Sequence, residues 1–171
     1  MPMSAPAPVP ATAPIDQFVA LSSLLTGIAS DKLAPPLDPI DIKQTYFDYI
    51  QQKEPDAFAQ LLKIYGENQD KPPADIANII FSLSGPQVAF LARSVILAWY
   101  LGSWYKPSDL QKNAGGTNPF VPSVVISAEA YTQGWAWSVA QAHPMGYSNF
   151  TFGYWAQNPP TLKDFIGGNA S

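Results

Sequence analysis

The chain has 171 residues with 47% hydrophobic and only 13% charged side chains, against roughly 25% charged in an average soluble domain. Its net charge of −4, with Arg93 as the lone arginine, leaves no basic face for nucleic acid or an anionic membrane surface. With no cysteine and a single histidine, disulfides, thiolate nucleophiles, iron–sulfur ligation and His-rich metal sites are excluded.

Residues 1–13 are rich in Pro and Ala and carry no charge. They lack the basic start and apolar centre of a signal peptide, and read as a disordered leader or the remnant of an export signal. Residues 14–171 then read as one domain. Its first helix spans Pro14 to Thr26, with proline in the first turn, Gly27 as a left-handed stop, and Ile15, Phe18, Leu21 and Leu25 on one side. Ala34-Pro35-Pro36 breaks the chain.

A second helix is expected after Asp38-Pro39, with Asp38 as cap, Pro39 at the first position and Asp41 at the positive end of the dipole. Ile42, Tyr46, Tyr49 and Ile50 form its apolar stripe. Pro55 closes it and opens a third helix, in which Phe58, Leu61, Leu62 and Tyr65 precede a stop at Gly66. After Lys71-Pro72-Pro73, a fourth carries Ile76, Ile79, Ile80 and Leu83 on its inner face. A fifth runs from Gln87 to about Leu101 and is apolar nearly all round, as befits a central helix enclosed by others. At about fourteen residues this run is too short to span a bilayer. Arg93 within it needs a carboxylate, a rim or an acidic partner.

Beyond Gly102 the character changes. Lys106-Pro107 and Asn113 to Gly116 read as loop, Val121 to Ser127 as a short extended segment, and Ala128 to Ala142 as a sixth helix weakened by Gly134. The fold class is therefore mainly α, a compact bundle of about five to six helices with an irregular aromatic C-terminal segment.

All five tryptophans lie at or beyond Trp99, and from Asn113 to Leu162 the only formal charge is Glu129. Such a stretch either fills a core or forms the apolar centre of an interface. Helical spacing gives Trp99 and Trp135 a place in the core. The coil from Gly146 to Pro160 is better sheltered by another chain, because irregular backbone leaves polar groups to be satisfied. The partner-facing set drawn from the end of the central helix and from this coil is Trp99, Tyr100, Tyr147, Phe150, Phe152, Gly153, Tyr154, Trp155, Pro159 and Pro160.

No catalytic constellation emerges. His143 precedes Pro144 without a carboxylate or nucleophile nearby in sequence. Ser22, Ser82 and Ser84 sit in no nucleophile elbow. Asp38, Asp41, Asp48, Asp56 and Asp75 suit caps and solvated faces better than paired catalytic carboxylates. Gly115-Gly116 lacks the lysine and preceding strand of a phosphate loop. The expectation is a non-catalytic chain with no cofactor or metal of its own. The alternative is a carbohydrate-binding helical module that stacks sugars on its C-terminal aromatics.

Three segments carry a family likeness. Phe18 to Gly27 reads F-x-x-L-S-x-x-L-T-G, Ala98 to Gly102 reads AWYLG, and Gly153-Tyr154-Trp155 is followed by Pro159-Pro160. In this order the chain resembles the small (gamma) subunit of bacterial membrane-bound FAD-dependent sugar and polyol dehydrogenases, the sorbitol, fructose and glucose dehydrogenase type. The resemblance implies a heterotrimer with a large flavoprotein that holds FAD and substrate, and a cytochrome c subunit whose haem c passes electrons to the membrane quinones. It implies that the small subunit stabilises the flavoprotein and assists its folding and its twin-arginine export, placing the complex in the periplasm at the inner membrane. The family's twin-arginine signal is not found in this sequence.

Overall fold

The computed structural model describes residues 13–116 and 120–144. The expectations for the leader and for the aromatic coil from residue 145 onward lie outside them. Within these bounds the architecture is a helical bundle around one central helix, with a single two-stranded antiparallel sheet at its side.

Helix α1 (Pro14–Thr26) has the expected limits. Proline opens it, and Gly27 at φ 74° closes it by donating its N–H to Ser23 O at 2.9 Å. Phe18 and Leu21 are fully buried. A one-turn helix α2 (Ser30–Leu33) follows, unanticipated because four residues are too few for a periodic signal. Leu33 and Ile28 are buried and fix this connection to the core.

Helix α3 (Ile42–Lys53) begins later than expected, and Pro39 is not its first residue. The Asp38 carboxylate accepts backbone N–H groups from Ile40 and Asp41, both at 3.0 Å, and from Ile42 at 3.2 Å. Asp38 therefore organises the turn ahead of the helix. Asp41 occupies the cap position with a left-handed φ of 52° and pairs with Lys43 at 2.6 Å.

Helix α4 (Pro55–Asn68) opens on its proline but runs through Gly66 instead of stopping there. At Gly66 the Gln17 amide of α1 lies against the helix and donates to Leu62 O at 2.9 Å. A Cβ at this position would overlap the end of that side chain, which would have to turn aside.

Helix α5 (Pro73–Asn78) widens into a π turn, Ile79–Leu83, in which Ser84 N–H and Oγ–H both donate to Ile79 O. The wider turn changes the register. Ile76 and Ile80 stay buried, whereas Leu83, expected on the inner face, is 70% exposed.

Helix α6 (Pro86–Leu101) is the enclosed centre, packed against α1, α4 and the π turn on one side and the C-terminal elements on the other. Its buried residues include Val88, Leu91, Ala92, Val95, Ala98 and Trp99. Arg93 is not buried. It lies on an exposed flank with its guanidinium 4.7 Å from the Phe90 ring centre, so it needs no carboxylate to compensate it.

After Gly102 the chain forms β1 (Ser103–Tyr105), α7 (Pro107–Lys112), β2 (Ser123–Val125), α8 (Ala128–Gln133) and α9 (Trp135–Val139). The strands pair antiparallel, with Trp104 opposite Val124. Ser94 Oγ donates to Tyr105 O at 2.6 Å and ties β1 to the central helix. The Lys106-Pro107 stretch, expected as loop, starts α7, since proline is well suited to a first turn. The expected helix over Ala128–Ala142 is split at Gly134, where a Cβ would come within 2.9 Å of Tyr100 O.

An aromatic cluster joins these layers. Phe18 meets Phe58 edge-on at 5.6 Å and Phe47 at 5.7 Å, and stacks near Trp99 at 6.2 Å. The Tyr46 ring meets Trp99 at 4.7 Å. Such contacts add about 0.5–1.5 kcal/mol each beyond simple burial. The F-x-x-L-S and AWYLG segments thus meet each other in the core.

Candidate partner-binding surface

Of the residues expected to face a partner, two are described. Trp99 sits in the core at 1% exposure, against Phe18 and Tyr46. Its position on the inner side of α6 leaves it almost no exposed area, which corrects its place in the partner-facing set and agrees with its helical spacing. Tyr100 is half-buried and donates its hydroxyl to Thr26 O at 3.0 Å, clasping the end of α1 to the end of α6. Tyr147, Phe150, Phe152, Gly153, Tyr154, Trp155, Pro159 and Pro160 lie outside the described residues. Trp135 is half-buried and packs on the core, as its spacing predicts.

A different apolar surface is present. In β2 every residue is exposed, Val124 at 62% and Val125 at 53%, and nearby in sequence Phe120 is 71% exposed. A strand with one face on a core would bury every second residue; this one buries none. Among the described residues only β1 pairs with it. From Asn113 to Pro144 the chain carries one formal charge, Glu129. Exposed valines on a strand edge that is unpaired among the described residues, without the usual charged guards, make a candidate interaction surface. The Val-Val-Ile run announced a strand, but nothing in it told which face would be covered.

A second feature is a cleft of about 130 Å³ between the Pro35–Asp38 loop and the α8–α9 corner. Trp99 and Trp135 contribute its aromatic wall, and Lys32, Asp38, Gln133 and Ser138 its polar one. Lys32, Gln133 and Ser138 are exposed. The Trp99 indole N–H is buried, with no acceptor among the described residues. Sequence reasoning missed this site because it joins residues more than ninety positions apart.

Burial pushes the Tyr46 phenol well above its ordinary range, and the hydroxyl reaches Ala130 O at 3.4 Å. His143 Nδ1 lies 3.2 Å from Pro144 O. Among the described residues no group of three or more His, Asp or Glu side chains is placed to hold a metal ion. Among them, too, no helix is long and apolar enough to cross a membrane.

Comparison with known proteins supports the family likeness. The sequence profile described as "Membrane bound FAD containing D-sorbitol dehydrogenase" matches residues 1–159, a span that contains all three family-like segments except Pro160. Neither the curated proteins nor the solved structures give a significant match. With a charge-poor, apolar-edged helical body and a family profile covering nearly its whole length, the chain belongs to the membrane-bound FAD-containing D-sorbitol dehydrogenase family, as a subunit of that complex.

Proposed function

We propose that the chain is the non-catalytic small subunit of a heteromeric FAD-dependent sugar or polyol dehydrogenase, which stabilises the flavoprotein subunit and assists its folding and twin-arginine export. The observation that supports this reading is the exposure of Val124 and Val125 on β2, whose outer edge is unpaired among the described residues, in a stretch bearing one charge. Such a surface gains by being removed from water, about 25 cal/mol per Å² of apolar area. The flavoprotein is the partner that the family's description supplies, and a cytochrome c subunit completes the complex in this account. The assembly works in the periplasm, held at the membrane through its other subunits.

In this reading the flavin belongs to the partner subunit. The glycine pair Gly115-Gly116 follows α7 and not a strand, so it builds no dinucleotide-binding turn.

The test is expression of the flavoprotein gene with and without this chain, measuring FAD content and the exported amount of flavoprotein. Both should fall several-fold when the chain is left out. A fully flavinylated, fully exported and active flavoprotein made alone would refute the proposal.

A further inference from the structure

Helix α6 is covered along most of its surface, but one stripe is not. Pro86, Phe90, Arg93, Leu97 and Tyr100 fall within an arc of about 80° on the helix. Pro86 and Arg93 are exposed and the other three half-buried, whereas Leu91, Ala92, Ser94 and Val95 beside them are buried. Arg93, the lone arginine of a chain with net charge −4, sits at the centre of this otherwise uncharged stripe. Its guanidinium lies 4.7 Å from the Phe90 ring centre, an arrangement that orders the planar group while leaving its N–H donors free to bind. Among the described residues no carboxylate comes within ion-pair distance of it. Tyr100 is also held, through its hydroxyl to Thr26 O at 3.0 Å.

We infer that this stripe is a docking surface for an acidic segment of the flavoprotein subunit, with an Asp or Glu carboxylate seated on Arg93 and apolar contacts to Phe90, Leu97 and Tyr100. The inference rests on the subunit reading. Charge complementarity selects the occupant. A carboxylate matches the guanidinium fork with two parallel N–H···O bonds, and the pair strengthens as the apolar residues on either side exclude water. Because the Phe90 ring already orders the guanidinium, less side-chain freedom is lost on docking. A second copy of this chain would lay the stripe on itself and bring two guanidinium groups together with no carboxylate on either side. A nucleic acid or an anionic lipid surface calls for several cations close together, and the stripe has one.

The test uses the complex purified from cells that make the flavoprotein with the tagged full-length chain, its dissociation constant read on dilution. Arg93→Gln should weaken the complex at least about 10-fold. Arg93→Lys, which keeps the charge and loses the fork, should recover part of that loss. Lys63→Glu, on the exposed face of α4, is the control for net charge and should leave the affinity unchanged. Equal thermal midpoints for the wild-type and Arg93→Gln chains separate docking from folding. A photoreactive benzoylphenylalanine in place of Leu97 should cross-link to a flavoprotein peptide that contains Asp or Glu, and replacing that acid by Lys should be rescued by Arg93→Glu. A wild-type chain that holds no flavoprotein would overturn the subunit reading and this inference with it. Firm binding by the wild type with equal binding by Arg93→Gln, or an equal loss from Lys63→Glu, would overturn the inference alone. So would a homodimer, or adhesion to phosphatidylglycerol vesicles, that Arg93→Gln abolishes while the flavoprotein stays bound.

Discussion

Replacing Gly102 by alanine tests how the end of the central helix locks the C-terminal elements in place. Gly102 has φ 62°, and a Cβ at this position would overlap the Ala130 carbonyl group and come within 2.6 Å of Tyr131 N. It also accepts the Ile126 N–H at 3.0 Å and donates to Ala98 O at 2.9 Å, so neither side of the contact moves freely. Gly27 is the natural control. It has the same left-handed conformation, φ 74°, at the end of α1, and a methyl group there would meet nothing within 4 Å. Gly27→Ala therefore incurs only the backbone strain, about 1–2 kcal/mol. Gly102→Ala adds an overpacking cost of about 1–3 kcal/mol as α8 is pushed off α6. With a urea slope of about 2 kcal/mol per M, Gly27→Ala lowers the unfolding midpoint by about 0.5–1 M and Gly102→Ala by about 1–2.5 M. Equal midpoints for the two variants would refute the close approach of α8 to Gly102, and with it the packing that orients α8, α9 and the cleft.

Three further outcomes follow from single features. Ser22 is fully buried on α1 and its hydroxyl has no partner among the described residues, so Ser22→Ala should stabilise the protein by about 1 kcal/mol; a loss of stability in thermal melts would mean that the hydroxyl is satisfied. Tyr46 has its pKa raised by burial, so the folded state holds its proton more tightly than the unfolded chain does. That contribution is complete below an unfolded pKa of about 10 and is lost as pH climbs above it, making stability fall through that alkaline range. Tyr46→Phe should flatten this decline, though not abolish it, since Tyr49 and Tyr65 shift the same way; an unchanged slope in unfolding measured against pH contradicts the assignment. Joint replacement of Val124 and Val125 by lysine should leave stability within about 0.5 kcal/mol, because both side chains are exposed, yet reduce recovery of the flavoprotein with a tagged small subunit. Undiminished recovery would move the interface away from β2.

The helices whose ends carry their own chemistry were legible in the sequence. In α1 a first-turn proline, a left-handed glycine and a sustained apolar pattern all point to the same limits, and in α6 the nearly continuous apolar run does. Where a side chain from elsewhere intervened, legibility failed. Gly66 looked like a stop but accommodates Gln17, and Asp38 looked like a helix cap but organises the turn before the helix. Leu83 belonged to a stripe counted at 3.6 residues per turn, and the π turn removed it. The three-residue strand β1 has no periodicity long enough to detect. Trp99 could serve either core or interface from its sequence context alone, and only the packing of α1 and α3 around it decides for the core. The cleft assembles from segments near residues 32–42, 99 and 133–138, a proximity that no local pattern encodes.

The most direct test of the subunit account is the composition of the complex extracted from membranes with this chain carrying the affinity tag. The account predicts co-elution with an FAD-containing subunit in a fixed one-to-one ratio, and loss of that subunit's flavin when the two are separated. A tagged chain that elutes alone, as a stable monomer free of flavoprotein, would contradict it.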